Sequence, residues 1–283
     1  MAAVLALLSS ALWGTADFLG GMVAKRVPAF VVVATTQGLA LVMLVPVVLL
    51  TQAWHAPLGY LWWGVAAGVV GPLALAAFYH ALSIGRMGVV SPISATAIAV
   101  PVGIGLLSGE RPAVAALVGI ALAAFGVVLA GGPDARTDLD ATQQHGLRPV
   151  LFALAAAVGF GLVYVLLDGG AKSSVLMTLV AMRGASAVLV GVPVLLTLGL
   201  GGLRRRDLPM LTGIGVGDVA ANGLFAWSST LGLLSVTAVL GSLFPVATLA
   251  LARVVLGERL TRLQTVGVTL AMSGVCLLAA AGA

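Results

Sequence analysis

The chain is 283 residues long, 61% hydrophobic and only 8% charged, with a formal net charge of +5. Soluble domains carry about 25% charged residues, so a water-soluble globule is excluded. The basic residues are scattered near the ends of apolar runs rather than clustered, which argues against a nucleic-acid surface and for orientation in a membrane.

Apolar runs of about 20 residues recur along the whole length, each sufficient to cross a bilayer as a helix. Ten spans are predicted, over residues 2–22, 29–50, 58–82, 87–108, 113–131, 149–168, 174–199, 209–232, 234–255 and 263–281. The first has no basic segment before it and runs into Trp13 and Asp17, so it reads as a span and not a cleaved signal. Ser10, Trp13 and Asp17 are about one helical turn apart and form one stripe. Asp17 is the candidate protonatable coupling group, because a carboxylate inside a bilayer must be paired or take up a proton. The alternative is an interfacial pair with Lys25 or Arg26.

The third span carries Gly71-Pro72, expected to interrupt it, and ends in Tyr79 and His80. His80 is either a substrate or proton site or an ordinary interfacial histidine. Glu110 and Glu258 follow spans 4 and 9 beside Arg111 and Arg259, and read as interface caps or gate-region charges. The longest polar stretch, Pro133–Arg148, joins a first half (1–132) to a second (149–283).

In the sixth span Phe160, Tyr164 and Asp168 repeat every four residues; Asp168 is expected to be a solvated helix end. Phe160 and Trp13 occupy similar depths in corresponding helices. Arg183 lies about nine residues into span 7 and Asp218 about nine into span 8, each roughly 14 Å deep at 1.5 Å per residue. The two are expected to meet near the midplane, as a packing pair or as a cavity-lining pair that binds substrate. Asn222 follows Asp218 by one turn. Trp227 is either cavity wall or aromatic belt, and Pro245 is expected to interrupt span 9.

The two halves repeat one another. Residues 109–129 read GERPAVAALVGIALAAFGVVL and residues 257–277 read GERLTRLQTVGVTLAMSGVCL. Five spans per half is odd, so the second half enters the membrane from the opposite side and the repeats are inverted. Lys25, Arg26, Arg86, Arg136, Arg148, Arg204, Arg205, Arg206, Arg259 and Arg262 fall on one face; Arg111 and Lys172 fall on the other. The richer face is assigned to the cytoplasm, with both termini outside.

The paired GER segments, together with Trp13-Gly14-Thr15, Tyr79-His80-Ala81-Leu82 and Pro245, resemble the drug/metabolite transporter superfamily, in particular its EamA-type ten-helix members. The resemblance covers essentially the whole chain. It implies an all-α polytopic membrane protein of two inverted five-helix repeats around a central cavity, working by alternating access and exporting small metabolites. Members are often drawn with both termini inside, whereas the charge count here favours outside. Arg183 looks like an arginine common in the family, but its first-half counterpart is Gln37, and Pro101 stands where the second half has Leu249.

The expected function is therefore a secondary transporter, most readily an exporter of a small polar metabolite such as an amino acid. It would reside in a bacterial plasma (inner) membrane, as monomer or homodimer, with the proton as candidate coupling ion and no cofactor. Its candidate substrate-binding residues are Trp13, Asp17, Tyr79, His80, Phe160, Tyr164, Arg183, Asp218, Asn222 and Trp227. Two alternatives stand beside it. Gly215-Val216-Gly217-Asp218 spells the GxGD of intramembrane aspartyl proteases, which would need Asp17 or Asp168 as a second catalytic carboxylate. A passive channel would need a continuous polar stripe, which the sequence lacks.

Overall fold

A computed structural model describes residues 1–84, 90, 93–94, 96–130, 148–199, 201–256 and 261–280. The expected inter-repeat loop, apart from Arg148, lies outside the described residues, as do Arg86, Glu258 and Arg259. The helices are α1 (Ala2–Ala24), α2 (Ala29–Thr51), α3 (Tyr60–Ile84), α4 (Ala99–Leu107), α5 (Val114–Ala130), α6 (Arg148–Ala171), α7 (Val175–Leu198), α8 (Leu208–Leu231), α9 (Leu234–Gly241), α10 (Phe244–Leu256) and α11 (Arg262–Ala280). Among the described residues there is no strand. Among these residues six helices are long and apolar enough to cross a membrane, and four shorter apolar helices accompany them.

Polarity is distributed as a bilayer requires. Leu50, Leu107, Leu196 and Trp62 face outwards, whereas Ser9, Asp17, Gln37, Arg183 and Asn222 are buried. Extensive apolar outer surface marks a lipid-facing protein, and polar groups turned inward find partners there instead of in hydrocarbon.

The helix ends follow local chemistry. Ser174 caps α7, its hydroxyl accepting from the Met177 amide at 3.2 Å. Glu110 accepts from the amides of Leu234 at 2.7 Å and Ser235 at 3.1 Å, so it caps the start of α9 from the other half of the chain. Span 9 is divided at Ser242–Leu243, between α9 and α10. Pro245 is the second residue of α10, where its missing amide is no loss.

The expectation for Pro72 is corrected: α3 runs through it without a break. Proline at position 72 leaves the Gly68 carbonyl without its helical donor. The Ser186 hydroxyl, from α7, lies 2.9 Å from that carbonyl and 2.8 Å from the Met182 carbonyl, and one proton serves both. Close packing of α3 on α7 makes this contact available: a side chain at Gly68 would collide with the Met182 carbonyl and Ala185.

Small residues bring helices from the two halves together. A side chain at Gly14 of α1 would meet Phe244 and Ala247 of α10, while one at Gly161 of α6 would meet Ala97 and Val100 beside and within α4. Between α5 and α11 the contact is reciprocal. Gly126 abuts Ala271 and the Gly267 carbonyl, and Gly274 abuts Ala123 and the Gly119 carbonyl. As one index rises the other falls, so these two helices run antiparallel.

Candidate functional site

A cavity of about 60 Å³ lies among α1, α2, α3, α6, α7, α8 and α10. Trp13, Asp17, Phe160, Tyr164, Arg183, Asp218 and Asn222 line it, with Gln37, Gly71, Leu75, Val163, Met182 and Phe244. Seven of the ten expected binding residues thus converge on one space. The repeat explains much of the lining. Trp13 and Phe160, Asp17 and Tyr164, Gly71 and Asp218, and Leu75 and Asn222 are each 147 positions apart, and both members of every pair face the cavity.

Arg183 is fully buried. Its Nη2 lies 2.9 Å from Asp218 Oδ2, as the sequence led one to expect. Its Nη1 donates to Gln37 Oε1, so the arginine meets its own counterpart from the other half. Among the described residues Nε and Nη2 have no hydrogen-bond partner, Nη2 meeting Asp218 as an ion pair. A guanidinium offers five donors in a planar fork, and here several remain unspent. Asn222 Nδ2 donates to Asp218 Oδ1 at 2.9 Å and to the Asp218 carbonyl at 2.6 Å, holding the carboxylate against its own helix.

Asp17 is buried and lines the same cavity, and none of Arg26, Lys172 or Arg183 pairs with it. The interfacial alternative does not occur: Arg26 instead makes a two-point contact with Asp207, at 2.7 and 3.1 Å. Two of the lining rings, Trp13 and Tyr164, pack with Phe225 into an aromatic cluster. Trp13 lies 5.4 Å from Tyr164 and 5.8 Å from Phe225, and Tyr164 lies 4.7 Å from Phe225, centroid to centroid. Phe160 packs edge-on against Phe78 at 5.6 Å.

Tyr79, His80 and Trp227 do not line this cavity. Tyr79 is buried beside it, its hydroxyl pressed against Gly20, one turn beyond Asp17. His80 is exposed and meets Phe152 edge-on at 4.7 Å. Trp227 is exposed on the outer surface. Asp168 departs from the expected solvated end: it is buried and pairs with Lys172 at 2.9 Å.

The cavity residues that sequence reasoning did not single out as binding groups are mainly Gln37, Leu75, Met182 and Phe244. Two carried a signal. Gln37 is the counterpart of Arg183 and Leu75 that of Asn222, so projecting each polar residue onto the other half would have found them.

The model of the EamA-like transporter family matches residues 1–132 and again residues 147–280. No curated protein matches the chain in sequence. A solved structure, described only as a crystal structure of a protein, matches with a TM-score of 0.72 at 17% identity, covering 98% of this chain and 95% of that one. At that identity the likeness concerns the fold.

Proposed function

The chain belongs to the EamA-like transporter family, and from that premise we propose that it is a secondary active transporter exporting a small polar metabolite, such as an amino acid, by alternating access. The carrying observation is the buried Arg183, held by Gln37 and Asp218 yet with donors unspent at the wall of an aromatic cavity. An ion pair that only fixed packing would be expected to satisfy its donors within the protein, since unpaired polar groups are costly in a low-dielectric interior. A substrate carboxylate would complete the fork. The cavity holds two carboxylates, Asp17 and Asp218, against one guanidinium. A substrate ammonium or a coupling proton at Asp17 would balance it.

We read ten spans in two inverted repeats. The six long and four short apolar helices support the number. The reciprocal antiparallel contact of α5 with α11 supports a two-fold axis in the membrane plane. Arg26, Asp207 and Arg204–Arg206 cluster at one end, and Lys172 and Glu110 at the other; this supports the cytoplasmic assignment of the first end and outer termini.

The protease reading finds less support. Its chemistry needs a proton shared between two carboxylates. The oxygens of Asp218 face Arg183 and Asn222 instead, and Asp168 lines a different pocket.

The test is release of a radiolabelled amino-acid mixture preloaded into proteoliposomes, with an imposed proton gradient. Release above that of protein-free vesicles, lost in Arg183→Ala, is expected. Release no faster than from protein-free vesicles would rule out this substrate class.

A further inference from the structure

A second pocket, of about 460 Å³, lies at the end of the molecule opposite Arg26 and Asp207. Trp63, Ser108, Glu110, Asp168, Lys172 and Ser229 are among its walls. It is one helical turn from the central cavity: Tyr164 faces the cavity and Asp168 faces the pocket, on the same helix. The ring layer of Trp13, Tyr164 and Phe225 stands between them, backed by Gly241, whose added side chain would meet Phe225 at 3.2 Å and Trp13 at 3.5 Å.

We propose that this pocket is a second, outer ligand site that takes a small ammonium-bearing molecule, with Asp168 as its anionic seat and the Trp63 indole as its apolar wall.

Four features carry this. Asp168 is 8% exposed although it sits at a helix end, so it is built into the wall. Its present partner, the Lys172 ammonium, reaches it from a side chain that is 69% exposed. With its lysine end in solvent, the pair must hold a long side chain in one place to form; Lys172 marks the position a ligand ammonium would take. Glu110 also faces the pocket but is committed to two α9 amides. Among the described lining residues the charged groups are these two carboxylates and the Lys172 ammonium, a balance that favours a cation over an anion. Finally, Trp63 lies flat on Gly169, where any side chain would collide with its ring. A fixed indole beside a carboxylate suits an ammonium carried on a flat or apolar body. The site goes beyond the central one and rests on the transport reading only for its place along the path.

Phenethylamine is the probe, with 3-phenylpropionate as its anionic control. Equilibrium dialysis of labelled phenethylamine against purified protein is expected to find one site in the parent, retained in Asp17→Asn and weakened in Asp168→Asn. Outer-site affinity should fall at least about tenfold in Asp168→Asn. Lys172→Gln, which removes the competing ammonium, should tighten it, by up to about fivefold. A pair that served only to stabilise the helix end would not tighten binding when broken. The control should not bind the outer site. If Asp168→Asn leaves binding unchanged, or Lys172→Gln weakens it, the outer site is overturned while the central one stands. If Asp17→Asn abolishes binding and Asp168→Asn does not, the probe sits in the central cavity and the outer site is overturned.

Discussion

Whether the Arg183–Asp218 pair serves packing or transport can be decided by separating stability from activity. Arg183 is wholly buried and the Asp218 side chain is 18% exposed. Removing one partner of a buried pair leaves an uncompensated charge and costs about 3–5 kcal/mol. Residual access at Asp218 admits water, so Asp218→Asn belongs near the lower end, at about 3 kcal/mol, or roughly a hundredfold in the folding equilibrium. Arg183→Gln leaves Asp218 with only the Asn222 amide and falls in the same range. The double variant Arg183→Gln/Asp218→Asn has no orphan charge. Its two amides can bond to one another and to Gln37, so it should recover most of the loss, with a coupling of about 2 kcal/mol or more. Thermal unfolding in detergent measures this, and proteoliposome exchange measures transport. The double variant should regain stability and stay inactive. A double variant that regains both would show the pair to be a packing device and remove Arg183 from the substrate site.

Three further outcomes follow from the packing. Ser186→Ala should destabilise by about 1 kcal/mol by stranding the Gly68 carbonyl, and this cost should largely vanish in a Pro72→Ala background, where the restored amide serves that carbonyl; a double-mutant cycle with no coupling would refute the assignment. Gly126→Ala and Gly274→Ala place a methyl against opposing backbone in reciprocal positions, so each should lower stability by about 1–3 kcal/mol and by similar amounts; a marked inequality in melting would contradict the two-fold contact. Trp13→Ala removes the ring that bridges Tyr164 and Phe225. In a Cys276→Ser background, a cysteine at Asn222 should then label several-fold faster with an impermeant maleimide from the Lys172 face. Equal labelling with and without Trp13 would show that the ring layer is not the barrier.

Much of the candidate site was legible because ionisable residues in apolar runs are few. Arg183, Asp218 and Asp17 stood out on cost alone, and helix rise put the first two at one depth. Stripes at helical spacing added Trp13, Tyr164 and Asn222. The same rule failed for Asp168, which sits at a helix end: depth along a helix does not say whether the end is covered, and here α3, α4 and α9 cover it. It was also silent on His80, which lies in a matching motif yet turns outward.

The sequence by itself determined where the chain is helical and apolar, where the two copies lie, and which charges sit within the apolar runs. These are local properties, because nearly all backbone groups of a membrane helix are satisfied within that helix. The rotation of each helix about its axis was decided only by tertiary structure. Most helix surfaces are apolar on nearly all sides, so short polar stripes mark an inner face on only a few helices. Contacts between small residues of the two halves set the rotation instead. They turn Gln37 to Arg183 and Ser186 to the carbonyl that Pro72 leaves free, and they leave His80 and Trp227 outside.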